Sequence, residues 1–316
     1  MRSTGGVLLI SALISLISCQ SKEYVLPART PLLVVNGILQ ADQPARIYVG
    51  RSWSPTESVP VPHFVSNATV ILRSEGRIID TLRHENSGIY IGRTGRNLIA
   101  GSLYSLQVSA PNYNVASSNS VRIPNPFPLN KVVLDKNTPV LGLNGTNADP
   151  VLVQTTLGSV RVLDEYYGIS IRPMYQKYRL GTAVTIAGLA NQNFDNECFV
   201  NSNLPRDPQS ASPYQSAFFF KTNCFTNQQG ERISLVAETK GGVILDNGTF
   251  QQATADRFEI TLINSTRDYP LNRQSLQGPE GLESAFIEPR LTYSNINNGF
   301  GIVSGFNSQT LVVINR

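Results

Sequence analysis

The sequence predicts an all-β protein. Apolar residues recur with period two in short runs, Gly, Asn and Pro bound those runs, and no helical stripe of ten residues competes with them. About seven runs fall within roughly ninety residues, the strand density of an immunoglobulin-like β-sandwich. That sandwich is expected over 31–123, followed by a second, larger β-rich domain over 130–316 with at most one or two short helices.

The elements follow in chain order. Leu32-Leu33-Val34-Val35 is bounded by Asn36-Gly37, Arg46 to Val49 alternates, and Ala68 to Leu72 reads ATVIL. Ile78 to Leu82 repeats that pattern after Glu75-Gly76, so 68–82 reads as a hairpin. Gly88-Ile89-Tyr90, Leu103 to Val108 and Val115 to Ile123 complete the first set. Pro124, Pro126 and Pro128 then exclude both helix and central strand, which makes 124–129 a linker.

Beyond the linker the strands lengthen. Val151 to Thr156, Val160 to Leu163, Tyr167 to Ile171, Ala183 to Leu189 and Ala217 to Thr222 are expected, then Arg232 to Glu238, Arg257 to Ile263, Arg290 to Tyr293 and Gly301 to Phe306. Cys198 to Pro213 reads as a long loop. A short helix is expected after Asn264-Ser265-Thr266, with Ser or Thr as N-cap and Pro270 limiting it to a turn or two.

The N-terminus carries a targeting pattern. Arg2 is followed by VLLISALISLI at 7–17 and then Ser18-Cys19, the charged, apolar and small-residue regions of a signal peptide. The apolar run is about half the length of a membrane-spanning helix. Leu16-Ile17-Ser18-Cys19 resembles the lipobox of bacterial lipoproteins, which implies removal of 1–18, lipid (palmitate among its acyl chains) on Cys19, and a tether over 19–30. Gln20 in the second position lacks the aspartate that retains lipoproteins at the inner membrane. Lys22-Glu23 partly resembles the surface-export signal of Bacteroidota lipoproteins. An outer-membrane, lipid-anchored location is expected, at the cell surface or on the periplasmic face.

With Cys19 lipidated, Cys198 and Cys224 are an even pair in an oxidising compartment. A disulfide between them would contribute about 3 kcal/mol by closing the intervening loop. Metal ligation is the alternative, although His63 and His84 are far away in sequence.

Composition excludes more than it assigns. The balance of 26 basic to 22 acidic residues gives +4, which argues for no nucleic-acid partner. Two histidines in 316 residues, with no HExxH, GxSxG, GxxxxGK or GxGxxG, leave no catalytic residue, metal site or cofactor to assign. Asp164-Glu165 and Asp195-Asn196-Glu197 are the densest acidic sites and read as solvated loops. Arg93 to Arg96 and Arg172 to Arg179 read as charged surface. Asp80-Thr81-Leu82 resembles a short Bacteroidota O-glycosylation signal.

Aromatic residues are the remaining binding candidates: Trp53, Tyr166-Tyr167, Tyr175, Tyr178 and Phe218-Phe219-Phe220. Alternation puts Phe218 and Phe220 in the core with Phe219 opposite. Trp53 precedes Ser54-Pro55, a loop context, and is the candidate for an exposed ligand contact.

Several segments together carry a family resemblance: LLVVNGILQADQPARIYVGRSW at 32–53, VSNATVIL at 65–72, GIY at 88–90, YSLQVSAPNY at 104–113 and EPRLTYSNINNGFGIVSGFN at 288–307. With the lipobox they resemble the Bacteroidota outer-membrane lipoproteins of the domain of unknown function 4249 family. That resemblance implies an N-terminal immunoglobulin-like domain and association with TonB-dependent outer-membrane receptors, and no catalytic residues. Two functions are thus expected: a non-enzymatic lipoprotein accessory to such a receptor in nutrient binding or uptake, or a surface hydrolase acting on glycans or peptides.

Overall fold

In the computed structural model the described residues are 30–53, 63–126, 129–136, 150–157, 165–174, 188–189, 199–200, 217–221, 232–238, 240–244, 249–276 and 292–315. They are strand-rich, and a 14-stranded curled sheet dominates them. β1 (Leu33–Gln40) shows how the sequence writes this sheet: Leu33, Val35, Gly37 and Leu39 are buried while Val34, Asn36, Ile38 and Gln40 are half-exposed. Asn36-Gly37 lies inside β1 rather than ending it. The missing side chain of Gly37 leaves room for Ile47 opposite, and the Asn36 carboxamide oxygen accepts from Ile302 N–H at 3.2 Å.

β2 (Arg46–Arg51), β3 (Thr69–Ser74), β4 (Arg77–Asn86), β5 (Ile89–Ile91) and β6 (Leu103–Ser109) continue the sheet in the order β1-β2-β5-β4-β3-β6, each neighbouring pair antiparallel. Glu75 and Gly76, at φ 50° and 78°, make the two-residue turn of the expected β3–β4 hairpin. The strand expected over 115–123 is two pieces, β7 (Ala116–Ser118) and β8 (Val121–Arg122), both paired with β6. Asn119 interrupts them because its N–H turns to the carbonyl of Asn295 at 3.1 Å. Leu33, Ile47, Val70 and Leu106 from these strands share one core with Ile123, which follows β8, and with Ile296 and Val303.

Those last two residues come from the end of the chain. β19 (Ile296–Asn297) pairs with β7, and β20 (Gly299–Ile314) pairs in parallel with β1 from Leu33↔Gly299 to Gln40↔Phe306. Only Asn298, at φ 56°, separates β19 from β20, so one corner joins the two margins of the N-terminal sheet and closes it. The buried Asn295 side chain locks the corner: its Nδ2 donates to Val303 O at 2.7 Å, and its Oδ1 accepts from Val303 N–H at 2.9 Å. Gly301 has φ +106°, and a Cβ there would collide with the Val35 carbonyl. Residues 296–306, which the sequence reading groups with the second domain, thus complete the first sheet.

The second half of β20 pairs antiparallel with β18 (Arg257–Thr266), which pairs with β11 (Glu165–Met174); β14 (Phe218–Lys221) and β13 (Phe199–Val200) follow. β9 (Leu129–Asp135), β10 (Pro150–Leu157), β12 (Gly188–Leu189) and β15 (Arg232–Glu238) form a 4-stranded sheet. β16 (Lys240–Ile244) and β17 (Phe250–Thr254) pair with each other. Helix α1 (Asp268–Ser275) packs on the large sheet through Tyr269.

Helix α1 corrects two expectations. Phe219 is not opposite the core: it is fully buried against Tyr269 and Phe306, while Phe220 on the other face meets Tyr167. Simple alternation fails because both faces of this part of the sheet are covered. The helix begins after Arg267 without a side-chain cap, since Thr266 still belongs to β18 and its hydroxyl pairs with that of Ser304 at 2.9 Å. Pro270 sits in the first turn, where a missing N–H costs no helical bond.

The proline segment crosses this junction. Residues 123–126 are neither helix nor strand; Ile123 O accepts from Gly101 N–H at 2.8 Å, and side-chain amides satisfy the next two carbonyls, Asn307 Nδ2 donating to Pro124 O at 3.0 Å and Asn264 Nδ2 to Asn125 O at 3.2 Å. Asn295→Ala removes both bonds to Val303 and leaves a buried N–H and C=O without partners. It is expected to lower unfolding free energy by about 2–3 kcal/mol, read from urea denaturation.

Candidate functional site

Of the residues that the sequence singles out for binding, Trp53 is the one the structure places on an open surface, with 61% of its area exposed. Two short bonds hold its backbone at the start of β1: Ser52 N–H donates to Leu32 O at 2.8 Å, and Leu32 N–H to Ser52 Oγ at 2.9 Å. The indole lies 5.4 Å from the His63 ring, tilted at 41°. His63 is fixed by its own backbone, whose carbonyl accepts from Arg51 N–H at 2.7 Å. Its Nδ1 is buried without a hydrogen-bond partner. Phe64 follows, exposed, with its backbone bridged to Gly50.

A tyrosine anchors this loop from inside. Tyr90 Oη donates to Val65 O at 2.9 Å and accepts from Ala68 N–H at 2.8 Å. Burial pushes its phenol pKa up, and the Ala68 bond opposes that only in part. The pairing of Trp53 with His63 escapes sequence reasoning, because they stand ten positions apart and neither lies in a motif.

The other candidates resolve into structural roles or lie outside the described residues. Cys19, Cys198, Cys224, Asp164, Asp195, Glu197, Tyr175, Tyr178 and Arg179 lie outside them. Tyr166 and Tyr167 are buried in the sheet. Arg172 forms an ion pair with Glu259 on the adjacent strand at 2.7 and 2.8 Å, an exposed contact of small energetic weight. Asp80 is buried and accepts from Thr94 N–H at 3.2 Å and Thr94 Oγ1 at 2.9 Å, which folds the loop carrying Arg93 and Arg96 onto β4.

A second polar cluster sits where α1 meets the segment leading to Asn295. Tyr293 Oη donates to Asp268 Oδ1 at 2.9 Å, Tyr293 N–H donates to Ser275 Oγ at 2.8 Å, and Asn272 Nδ2 donates to Tyr293 O at 2.9 Å. Ser275 Oγ in turn donates to Asn272 O at 2.7 Å. Every polar atom of this serine, tyrosine and aspartate that faces the cluster is committed to a structural bond. The arrangement is a clamp on the chain entering β19, with no nucleophile and base in register. Arg273, on the buried side of α1, is only 4% exposed, and its Nε and Nη2 have no hydrogen-bond partner. Among the described residues no three His, Cys, Asp or Glu side chains converge as metal ligands, and no helix is long and apolar enough to cross a membrane.

These features define a strand-built protein whose open surface offers aromatic rings and amides. The chain belongs to the family described as Domain of unknown function (DUF4249), whose model matches residues 21–311. That is the family its sequence motifs resemble. No curated protein matches the chain. Among solved structures it is similar to the crystal structure of Salmonella alpha-2-macroglobulin reacted with methylamine, at 13% identity and a TM-score of 0.25, over 76% of this chain and 14% of that one. The chain thus spans about a seventh of that protein's length.

Burial, the Asp268 hydrogen bond and the Asp268 charge, in that order, push the Tyr293 phenol up to about 12. A phenol whose pKa is raised by folding stabilises the native state below its unfolded value, near 10, and loses that contribution as pH rises toward 12. Tyr293→Phe is therefore expected to be less stable at pH 8 but to show a shallower fall in unfolding free energy between pH 10 and 12, checked by urea titrations across that range.

Proposed function

We propose that this chain is a lipid-anchored outer-membrane lipoprotein of a Bacteroidota envelope, non-enzymatic, displayed at the cell surface as an accessory to a TonB-dependent receptor in nutrient binding or uptake. The observation that carries this reading is Leu16-Ile17-Ser18-Cys19 at the end of a short apolar run. Its placement suits the role, since β1 begins only fourteen residues after Cys19 and the whole N-terminal sheet is built outward from that strand. In this reading the N-terminal immunoglobulin-like unit is a spacer and docking module, and the strands that continue from β20 carry the loops that meet the receptor or its cargo.

Cys19→Ala is expected to abolish palmitate labelling and release the protein from the membrane fraction. Persistent labelling or membrane retention would reject the anchor. Affinity purification of the native protein from outer membranes is expected to recover a TonB-dependent receptor, and repeated recovery of the lipoprotein alone counts against the partnership.

The two remaining cysteines are proposed to form a disulfide. β13 starts one residue after Cys198 and β14 ends three residues before Cys224, and the register Phe199↔Phe220 puts that start and that end at the same end of the strand pair. Thiol titration of the denatured, unreduced protein is expected to find neither Cys198 nor Cys224 reactive, and two reactive thiols would dismiss the bond.

A further inference from the structure

The two ends of the closed N-terminal sheet differ in chemistry. One end is where β1 begins. The register gathers there Ser52-Trp53, the loop 63–68, the turn 86–88, the loop 110–115 and the corner at Asn298. Among these described residues there is no Asp, Glu, Lys or Arg, and the half-buried Arg51, paired with Leu33, is the charged residue beside them. The opposite end, built from 41–45, 74–77, 92–102 and 119–122, carries Asp42, Glu75, Arg77, Arg93, Arg96 and Arg122.

Large apolar side chains stand open to solvent at both ends, Ile78 and Ile99 at or beside the charge-bearing one and four residues where β1 begins. Trp53, Phe64, Val115 and Phe300 are all exposed there, and Asn298 Nδ2 reaches the Val115 carbonyl across the corner. Asparagines 67, 86, 112, 114 and 298, with Ser66 and Ser87, contribute neutral polar groups to the same end. Exposed aromatic and apolar groups among neutral amides match the interfacial zone of a bilayer, where indole rings settle and charges would cost desolvation.

The chain leading to the lipid enters at this same end. Thr30 is the first described residue before β1, and ten residues lie between it and Cys19, a span of at most about 40 Å. We infer that the Trp53 end of the N-terminal sheet rests on the lipid surface in which Cys19 is anchored, so that the protein stands on the membrane in a set orientation with its charge-bearing end outward. This rests on the anchored-lipoprotein reading and adds to it a second, non-covalent contact with lipid headgroups.

Trp53 is the one tryptophan of the chain, so its own fluorescence reports on the contact. The lipidated protein purified from membranes would be placed on phosphatidylethanolamine and phosphatidylglycerol vesicles with and without a brominated phosphatidylcholine. Flotation with the vesicles, a blue-shifted Trp53 emission relative to soluble Cys19→Ala protein, and at least two-fold quenching by the brominated lipid are expected. Phe300→Asp and Val115→Asp, both at exposed positions, should still float but lose most of that quenching. A protein that floats while Trp53 keeps the emission and acrylamide quenching of the soluble form overturns the contact and leaves the anchor standing. A protein that does not float overturns the anchor and the contact together. Shielding of Trp53 in native outer membranes but not on vesicles would assign this end to a protein partner and overturn the lipid contact.

Discussion

The parallel pairing of β1 with β20 is the constraint on which the rest of the molecule depends. A strand that opens a sheet exposes a row of unpaired N–H and C=O groups, and here the last strand of the chain covers them over the full length of β1. Because β19 pairs with β7 one residue before β20 meets β1, the same corner seals both margins of the N-terminal sheet. Asn295 makes that corner specific. Its carboxamide presents one donor and one acceptor to Val303, as a neighbouring strand would, in a buried site where neither backbone group could turn to water.

The closure also ties the two cores to one strand. On one face of β20, Val303 belongs to the N-terminal core; on the other, Ile302 and Phe306 belong to the core under α1. The Tyr293 clamp and the amide bonds from Asn264 and Asn307 to the proline segment converge on the same region. Buried asparagine does work here that charge performs elsewhere, because a neutral amide satisfies backbone groups at far smaller desolvation cost than an ion. The open aromatic end around Trp53 follows from the same corner, since β1, β7 and β20 all begin there.

Much of the local structure was legible in the residues. Alternation located β3, β4 and β6, Glu75-Gly76 located their turn, and the triple proline located a segment with no ladder bonds. The errors share a cause. Asn36-Gly37 has the local signature of a turn, yet Ile47 and Ile302 make it strand interior. Phe219 obeys alternation but is buried because a helix covers the second face. The exposure of Trp53 followed from its loop context, whereas its neighbour His63 and the grouping with Phe64, Val115 and Phe300 had no sequence signal, since Val115 precedes β7 and Phe300 lies in β20, far from Trp53 along the chain.

The strand class, the short helix near Pro270 and the family are readable from the residues alone, because each depends on neighbouring residues whose periodicity, turn chemistry or order is local. Local sequence could not show that the first and last strands pair in parallel, that 296–306 complete the N-terminal sheet, or that Trp53, Phe64, Val115 and Phe300 gather at one end of it. Parallel partners need no local turn, and Leu33 meets Gly299 across most of the chain, so the choice is made by burial and ladder bonding that no short window of residues contains.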